Sequence, residues 1–323
     1  MNKESLILIT GHTGLLGSAI VRELQRQGFN NLIVCTHNEV DYICQKATEE
    51  LFADVRPDYV FHCAAKVGGI FATSKYQADF LYENLMIMAN VIEASHRHKV
   101  KRLLIPGSVC AFPKDCPVPI KEEYAMTGAF EPTCEGYAMA KMAGQMLIKY
   151  YNEQYATDFL MVNLCNLYGE NDCWDISRNH VIPALIERFH FAEEKQADSV
   201  TLFGTGQARR EFMHADDAAA GCIALMGNNF VSAHTYGSTI NFGSNEVVSI
   251  RDLANIIKDI VGYEGSVCFD GDISKDGAAE RTLDSSRLNR LLRKDLIPLI
   301  YGIDKVYRSY VETCCSPDLP EGE

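Results

Sequence analysis

Thr10-Gly11-His12-Thr13-Gly14-Leu15-Leu16-Gly17 is the stretch on which the reading of the fold turns. It follows an apolar run, Leu6-Ile7-Leu8-Ile9-Thr10, that reads as a buried strand. It leads into Leu15 to Gln27, where apolar residues recur at helical spacing. Glycines between a strand and a helix let backbone N–H groups approach a pyrophosphate, whose charge the helix N-terminus favours. The spacing is GxxGxxG rather than GxGxxG, and alone it also fits an ordinary strand-to-helix turn. Its surroundings favour the dinucleotide reading. Asn31–Cys35 reads as a second strand, Ala47–Asp54 as a helix and Tyr59–His62 as a third strand. A long helix follows over about Ser74–Arg97, then a strand over Arg102–Ile105, a helix over Gly136–Tyr155 and a strand over Phe159–Leu164.

Such alternation calls for right-handed crossovers, and so for an α/β fold with a Rossmann-type doubly wound parallel sheet. Beyond Gly169 the pattern loosens. Helices are predicted over His180–Glu193 and Ser249–Val261, the second opened by Ser249 three residues before Asp252 and stopped by Gly262. The tail Ser316–Glu323, with two prolines and three acids, is expected to fray. The expected organisation is a dinucleotide-binding domain over 1–168, rejoined by a segment at about 213–247. A smaller, closely packed α/β substrate-binding domain takes mainly 169–323.

Composition narrows the function. The 323 residues are 47% hydrophobic and 23% charged, which excludes disordered and fibrous chains. The net charge of −13 argues against nucleic acid as a partner, since that needs a basic surface. The twelve cysteines include no CxxC pair and no Cys-His spacing of a zinc site, so no metal is expected. His96 and His98 stand two apart on a predicted helix and do not face each other. Polar Met1–Ser5 and the short run Leu6–Ile9 do not make a signal peptide, and no apolar run reaches the roughly 18 residues of a membrane span. Reduced thiols in a cytoplasmic protein, without membrane partners, are the expectation.

Chemistry is signalled by Tyr137-Ala138-Met139-Ala140-Lys141. Four residues apart on a helix, the phenol and the ammonium share a face, and the cation is expected to lower the tyrosine pKa. An amphipathic surface pair has the same spacing. Gly107-Ser108, however, follows the strand at the carboxyl edge where open α/β sheets bind ligands. A glycine-rich turn followed by this Ser, Tyr and Lys resembles the extended short-chain dehydrogenase/reductase superfamily. That resemblance implies Ser108, Tyr137 and Lys141 as catalytic residues.

Four longer segments resemble, more narrowly, the GDP-L-fucose synthase family. They are Ala64-Ala65-Lys66-Val67-Gly68-Gly69-Ile70, Gly107-Ser108-Val109-Cys110-Ala111-Phe112-Pro113, Asn179-His180-Val181-Ile182-Pro183-Ala184-Leu185 and Arg210-Glu211-Phe212-Met213-His214-Ala215-Asp216-Asp217. The resemblance implies 3,5-epimerisation of GDP-4-keto-6-deoxy-D-mannose and NADPH-dependent reduction of its C4 ketone, with Cys110 and His180 as the acid/base pair. It implies cofactor contacts at Gly11, Thr13, Gly14, Leu15, Leu16, Gly17, His37, Ala64, Ala65, Tyr137, Lys141 and His180. GDP-sugar contacts would fall at Arg188, Phe203, Arg210 and Arg281, and a homodimer would form through the two long helices.

The chain departs from the family pattern in three places. Thr13 and Cys35-Thr36-His37 stand where arginines would grip a 2′-phosphate, and no acid ends the second strand; NADP(H) is expected and NAD(H) stays open. Asn163–Asn171 replaces a proline-rich loop, and Ala278-Ala279-Glu280-Arg281 replaces a more basic stretch. Two other readings stay open: the same fold acting on another GDP-keto-sugar such as a heptose, and a non-catalytic dinucleotide-binding sensor.

Overall fold

The computed structural model describes residues 1–175, 179–227, 232–290 and 295–314. The first elements in chain order are β1 (Ile7–Thr10), α1 (Leu15–Arg26), β2 (Leu32–Cys35), α2 (Gln45–Val55), β3 (Tyr59–His62), α3 (Ile70–Lys75) and α4 (Gln77–Arg97). Next come β4 (Arg102–Ser108), α5 (Glu135–Tyr155), β5 (Phe159–Leu164), β6 (Asn166–Tyr168), α6 (Val181–Glu194), β7 (Ser199–Leu202), β8 (Arg209–His214) and α7 (Ala215–Gly227). The chain closes with α8 (Ala233–Tyr236), β9 (Thr239–Phe242), β10 (Val247–Ser249), α9 (Ile250–Val261), β11 (Ser266–Phe269), β12 (Glu280–Arg281), α10 (Ser286–Asn289) and α11 (Leu299–Cys314).

Six strands form one parallel sheet in the order β2-β1-β3-β4-β5-β9. Apolar side chains alternate between its two faces. Ile7, Ile9, Phe61, Leu104 and Val162 pack with α1 and α7, while Leu8, Val60, Leu103, Ile105 and Met161 pack with α2, α4 and α5. A sheet covered on both faces needs unbroken apolar strands, which is why these segments carry no polar alternation. The Rossmann-type arrangement expected from the sequence is present. Against it lie β8 with β10, β12 and β6, and the parallel pair β7–β11, over a second core built with α6, α9 and α11.

Several boundaries differ from the sequence reading. The single helix expected over Ser74–Arg97 is two, parted at Tyr76, whose backbone (φ −114°, ψ 41°) leaves the helical region. That break is held from outside: Gln77 accepts the Gly136 N–H at 2.7 Å and donates to the Pro132 carbonyl at 2.6 Å. The starts of α4 and α5 are thus pinned together. β4 runs past Ile105 to Ser108, paired with β5 alone. His180 caps α6 rather than opening it, while Ser249 caps α9 by accepting the Asp252 N–H at 3.0 Å. The tail expected to fray, 316–323, lies outside the described residues.

Candidate active site

The loop after β1 is folded back on itself. Thr10 is buried; its Oγ1 lies 2.7 Å from His62 Nδ1 and accepts the Ala64 N–H at 3.1 Å. Burial, with the Lys141 charge adding, pushes His62 down to about 3, so it is a neutral tie between β1 and β3. Gly11 has φ +67°, and a Cβ on it would stand 2.6 Å from the Ala64 nitrogen. A Cβ on Gly17 would overlap the Gly11 carbonyl oxygen, far inside contact distance. Gly14 caps α1 with no side-chain hydrogen bond, which leaves the first-turn N–H groups of Leu15, Leu16 and Gly17 to an incoming anion. The Leu16 side chain is buried in the core, so only its backbone can serve a ligand. These features fit a dinucleotide pyrophosphate. Gly17→Ala forces backbone against backbone, a conflict of about 1–3 kcal/mol. It is expected to lower the melting temperature and to raise the Kd for NADPH about tenfold or more, read by cofactor fluorescence.

At the β2 end His37 is exposed. The sequence places no acid there, yet Glu39 folds back to accept the Thr36 N–H at 2.7 Å and its hydroxyl at 2.8 Å. Thr13 and Asp172, with Trp174 and Val306, line an open cavity of about 290 Å3. Ala65 is half-buried beside Ala64.

Ser108 ends β4 and caps a single 3-10 turn over Val109–Ala111, its Oγ accepting the Cys110 N–H at 3.2 Å. α5 presents Tyr137 and Lys141 to the same place. The Tyr137 phenol is hydrogen-bonded to Ser108, and Lys141 Nζ lies 5.7 Å from the tyrosine ring centre while donating to the Pro106 carbonyl at 2.9 Å. One expectation is corrected here. Burial, reinforced by Cys110, pushes the Tyr137 phenol up rather than down, with the Ser108 hydrogen bond opposing. Lys141 is itself brought down to about 8 by burial, against the pull of Cys63. A phenol kept neutral is the form that can give a proton.

Cys110 and His180 shift in opposite directions. A hydrogen bond from Cys134 lowers the Cys110 thiol; burial opposes, and Ser108, Arg281 and Arg210 assist. Cys134, at the start of α5, is pushed up by that same hydrogen bond and by burial. For His180, burial acts downward but is outweighed by the hydrogen bond and charge of Asp172 and by Cys110, so its pKa is raised. Environments that separate two pKa values mark a base and an acid. Cys134 and Asp172 escaped the sequence reading because only the fold brings them beside Cys110 and His180.

Arg210 and Arg281 are neighbours across the β8–β12 pair. Arg210 donates to the Asp276 carbonyl at 3.1 Å and feels the Cys110 charge. Arg281 is only 6% exposed, and its Nη1 donates to the Pro113 carbonyl at 2.8 Å; its Nη2 is buried with no hydrogen-bond partner among the described residues. Its guanidinium therefore sits beneath the Cys110 turn. Arg188 donates to the Thr201 carbonyl at 3.0 Å and lies over the exposed Phe203 ring at 5.0 Å. Lys275, unremarked in the sequence, lies over that ring at 4.8 Å, and Phe71 meets it edge-on. Glu170, His214 and Asp216 also converge, but Lys305 lies 2.8 Å from both carboxylates and supplies the positive charge there.

Residues 7–243 match the NAD dependent epimerase/dehydratase family. The chain belongs to that family. Among epimerase/dehydratase-family relatives, it is 42% identical over 315 residues to GDP-L-fucose synthase 1 of Arabidopsis thaliana, covering 98% of this chain and 96% of that one. It is 41% identical over 316 residues to GDP-L-fucose synthase of Escherichia coli K12, covering 97% and 98%. A GDP-D-glycero-L-gluco-heptose synthase of Campylobacter jejuni, solved in the presence of NADPH, superposes with a TM-score of 0.88 at 34% identity, covering 96% and 99%. Among the described residues no helix is long and apolar enough to cross a membrane.

Proposed function

We propose that the chain is a bifunctional, NADP(H)-dependent epimerase/reductase that converts GDP-4-keto-6-deoxy-D-mannose to GDP-L-fucose. The observation that carries this reading is the standing of two machines at one sheet edge. Ser108, Tyr137 and Lys141 suit ketone reduction, and the oppositely shifted Cys110 and His180 suit proton exchange beside that ketone. The likeness to GDP-L-fucose synthases at 41–42% identity over nearly the whole chain supports the substrate.

The chemistry runs on these groups. The Cys110 thiolate takes the proton from C3, and later from C5, on one face. Protonated His180 returns one on the other. The electron pair left on carbon moves onto the C4 oxygen, where the Ser108 and Tyr137 hydroxyls hold the developing charge. Each inversion leaves Cys110 protonated and His180 neutral, so both must re-equilibrate with solvent before the next. NADPH, when bound at the glycine loop, supplies the hydride for C4. Tyr137 gives its proton to the C4 oxygen, and the nearby Lys141 ammonium steadies the phenolate that remains. Arg210, with Arg281, faces the diphosphate; Phe203, Arg188 and Lys275 frame the guanosine end.

The residues before 168, with the return segment 213–247, carry the cofactor, and the remainder mainly carries the sugar nucleotide. Exposed Tyr82 on α4 and Met139, Tyr150 and Tyr155 on α5 support a dimer through those helices. Ten described cysteines are free, which supports a cytoplasmic setting. A GDP-heptose is the second candidate substrate, favoured by the likeness to the heptose synthase.

The test is incubation with the GDP-keto-sugar and NADPH in D2O. NADPH should be consumed and the fucose product should carry deuterium at C3 and C5. Consumption without deuterium makes the protein a plain reductase, and turnover confined to a GDP-heptose selects the second substrate. No turnover overturns the enzyme reading.

A further inference from the structure

The loop that follows β6 touches three parts of the site. Glu170 is paired with Lys305 at 2.8 Å, and Asn171, with φ +65°, donates to Ser18 Oγ of α1 at 3.0 Å. Between these anchors and Trp174, whose ring packs at a tilt against Tyr310, stands Asp172. Its carboxylate is 3% exposed; Oδ1 lies 3.1 Å from His180 Nδ1 and accepts the Cys173 N–H at 2.8 Å. Oδ2 is buried with no hydrogen-bond partner among the described residues. Among those residues, no cationic side chain other than His180 comes within ion-pair distance of it.

A carboxylate this deep is costly unless a cation faces it. His180 is the group that answers the cost, and it does so best when protonated. With Nδ1 committed as donor to a carboxylate, the ring tautomer is fixed and Nε2 is the nitrogen left to exchange protons. Among the described residues, the other charged group facing His180 is Cys110, the base of the same reaction. We propose that Asp172 is the positioning residue of His180, fixing its tautomer and holding it as an imidazolium that donates to the inverted carbon. This inference rests on the reading of His180 as the proton donor.

Asp172→Asn keeps the size and one acceptor but removes the charge. Two readouts separate the pairing from the function. By NMR titration of the imidazole C–H signals, with His180 assigned through His180→Gln, the His180 pKa should fall in Asp172→Asn. In D2O, deuterium entry into the keto sugar should fall about 10–100-fold. Hydride transfer to the already 3,5-epimerised ketone should change less than threefold. The sign of the pH effect follows from the pairing. Asp172 holds the imidazolium to higher pH, so the alkaline limb of the deuterium-entry profile should move to lower pH in the variant. Asp172→Glu, which keeps the charge, should restore the limb and part of the rate.

An unchanged His180 pKa overturns the pairing. A lowered pKa with an unmoved rate and limb overturns the catalytic role. Equal loss of both steps, unrelieved by Asp172→Glu, makes Asp172 a loop anchor only. If wild-type protein takes up no deuterium while its His180 pKa still falls on Asp172→Asn, the epimerase reading fails and the pairing stands. Should Asp172→Asn not fold, the Asp172→Glu profile and titration decide the same points.

Discussion

Tyr137→Phe removes NADPH oxidation, lowering kcat about 10²–10⁴-fold with little change in cofactor affinity. The phenylalanine keeps the ring that meets Phe80 edge-on at 6.2 Å, so the pocket wall is retained. What is lost is one oxygen, hydrogen-bonded to Ser108 and facing the reacting carbonyl under the proposed reading. The phenol is buried and stays neutral, the form that can give a proton. Stopped-flow absorbance at the NADPH band checks the chemical step. Cofactor fluorescence titration checks that binding survives. Deuterium entry should also fall, by less, because Ser108 still holds the C4 oxygen. An NADPH oxidation rate within threefold of wild type would remove Tyr137 from the mechanism.

Cys110→Ser should split the two activities. A serine hydroxyl fits the space, but no hydrogen bond from Cys134 and no charge from Arg281 and Arg210 will make it an alkoxide near neutral pH. Deuterium entry at C3 and C5 is expected to drop about 10²–10⁴-fold. Hydride transfer, which under the proposed reading depends on Tyr137 and Ser108, should persist and deliver a reduced sugar that keeps the starting configuration at both carbons. Product stereochemistry by NMR, beside NADPH consumption, checks it. Equal loss of both steps would mean that Cys110 only shapes the pocket. The wild-type profile should also fail on acidification through the lowered Cys110 pKa, since the thiolate is the working form, and Cys110→Ser should lose that acid limb.

The parallel sheet was legible because strands covered on both faces must be apolar throughout, and Ile7-Leu8-Ile9 and Phe159–Val162 carry that pattern openly. The glycine loop was legible from its place between an apolar strand and a helix, and the meeting of Ser108, Tyr137 and Lys141 from the resemblance of that order to a known superfamily; β4 and α5 do bring the three together. Other features depend on what the chain meets in space. The strand read over Arg102–Ile105 runs on to Ser108 because β3 stops short of Pro106, so a missing N–H costs little on that side while β5 carries the pairing onward. The break at Tyr76 comes from Gln77 reaching Gly136, fifty-nine residues away in sequence. The upward shift of Tyr137 comes from burial, which a YxxxK spacing does not encode. Asp172, eight residues before His180, and Cys134, twenty-four after Cys110, carry no motif of their own, and folding alone gives them these partners.

The placing of β9 has a consequence for how the protein is made. β5 is buried along its whole length, and its outer neighbour in the sheet is β9, which lies beyond β6, α6, β7, β8, α7 and α8 in the chain. While those elements are still being synthesised, β5 presents a bare row of backbone donors and acceptors beside apolar side chains. Such an edge recruits other strands, and parallel pairing across a long loop is slow to form. The nascent chain is therefore most exposed to aggregation after β5 leaves the ribosome and before Thr239–Phe242 does. Late β9, more than any residue of the active site, sets the moment at which the sheet becomes safe.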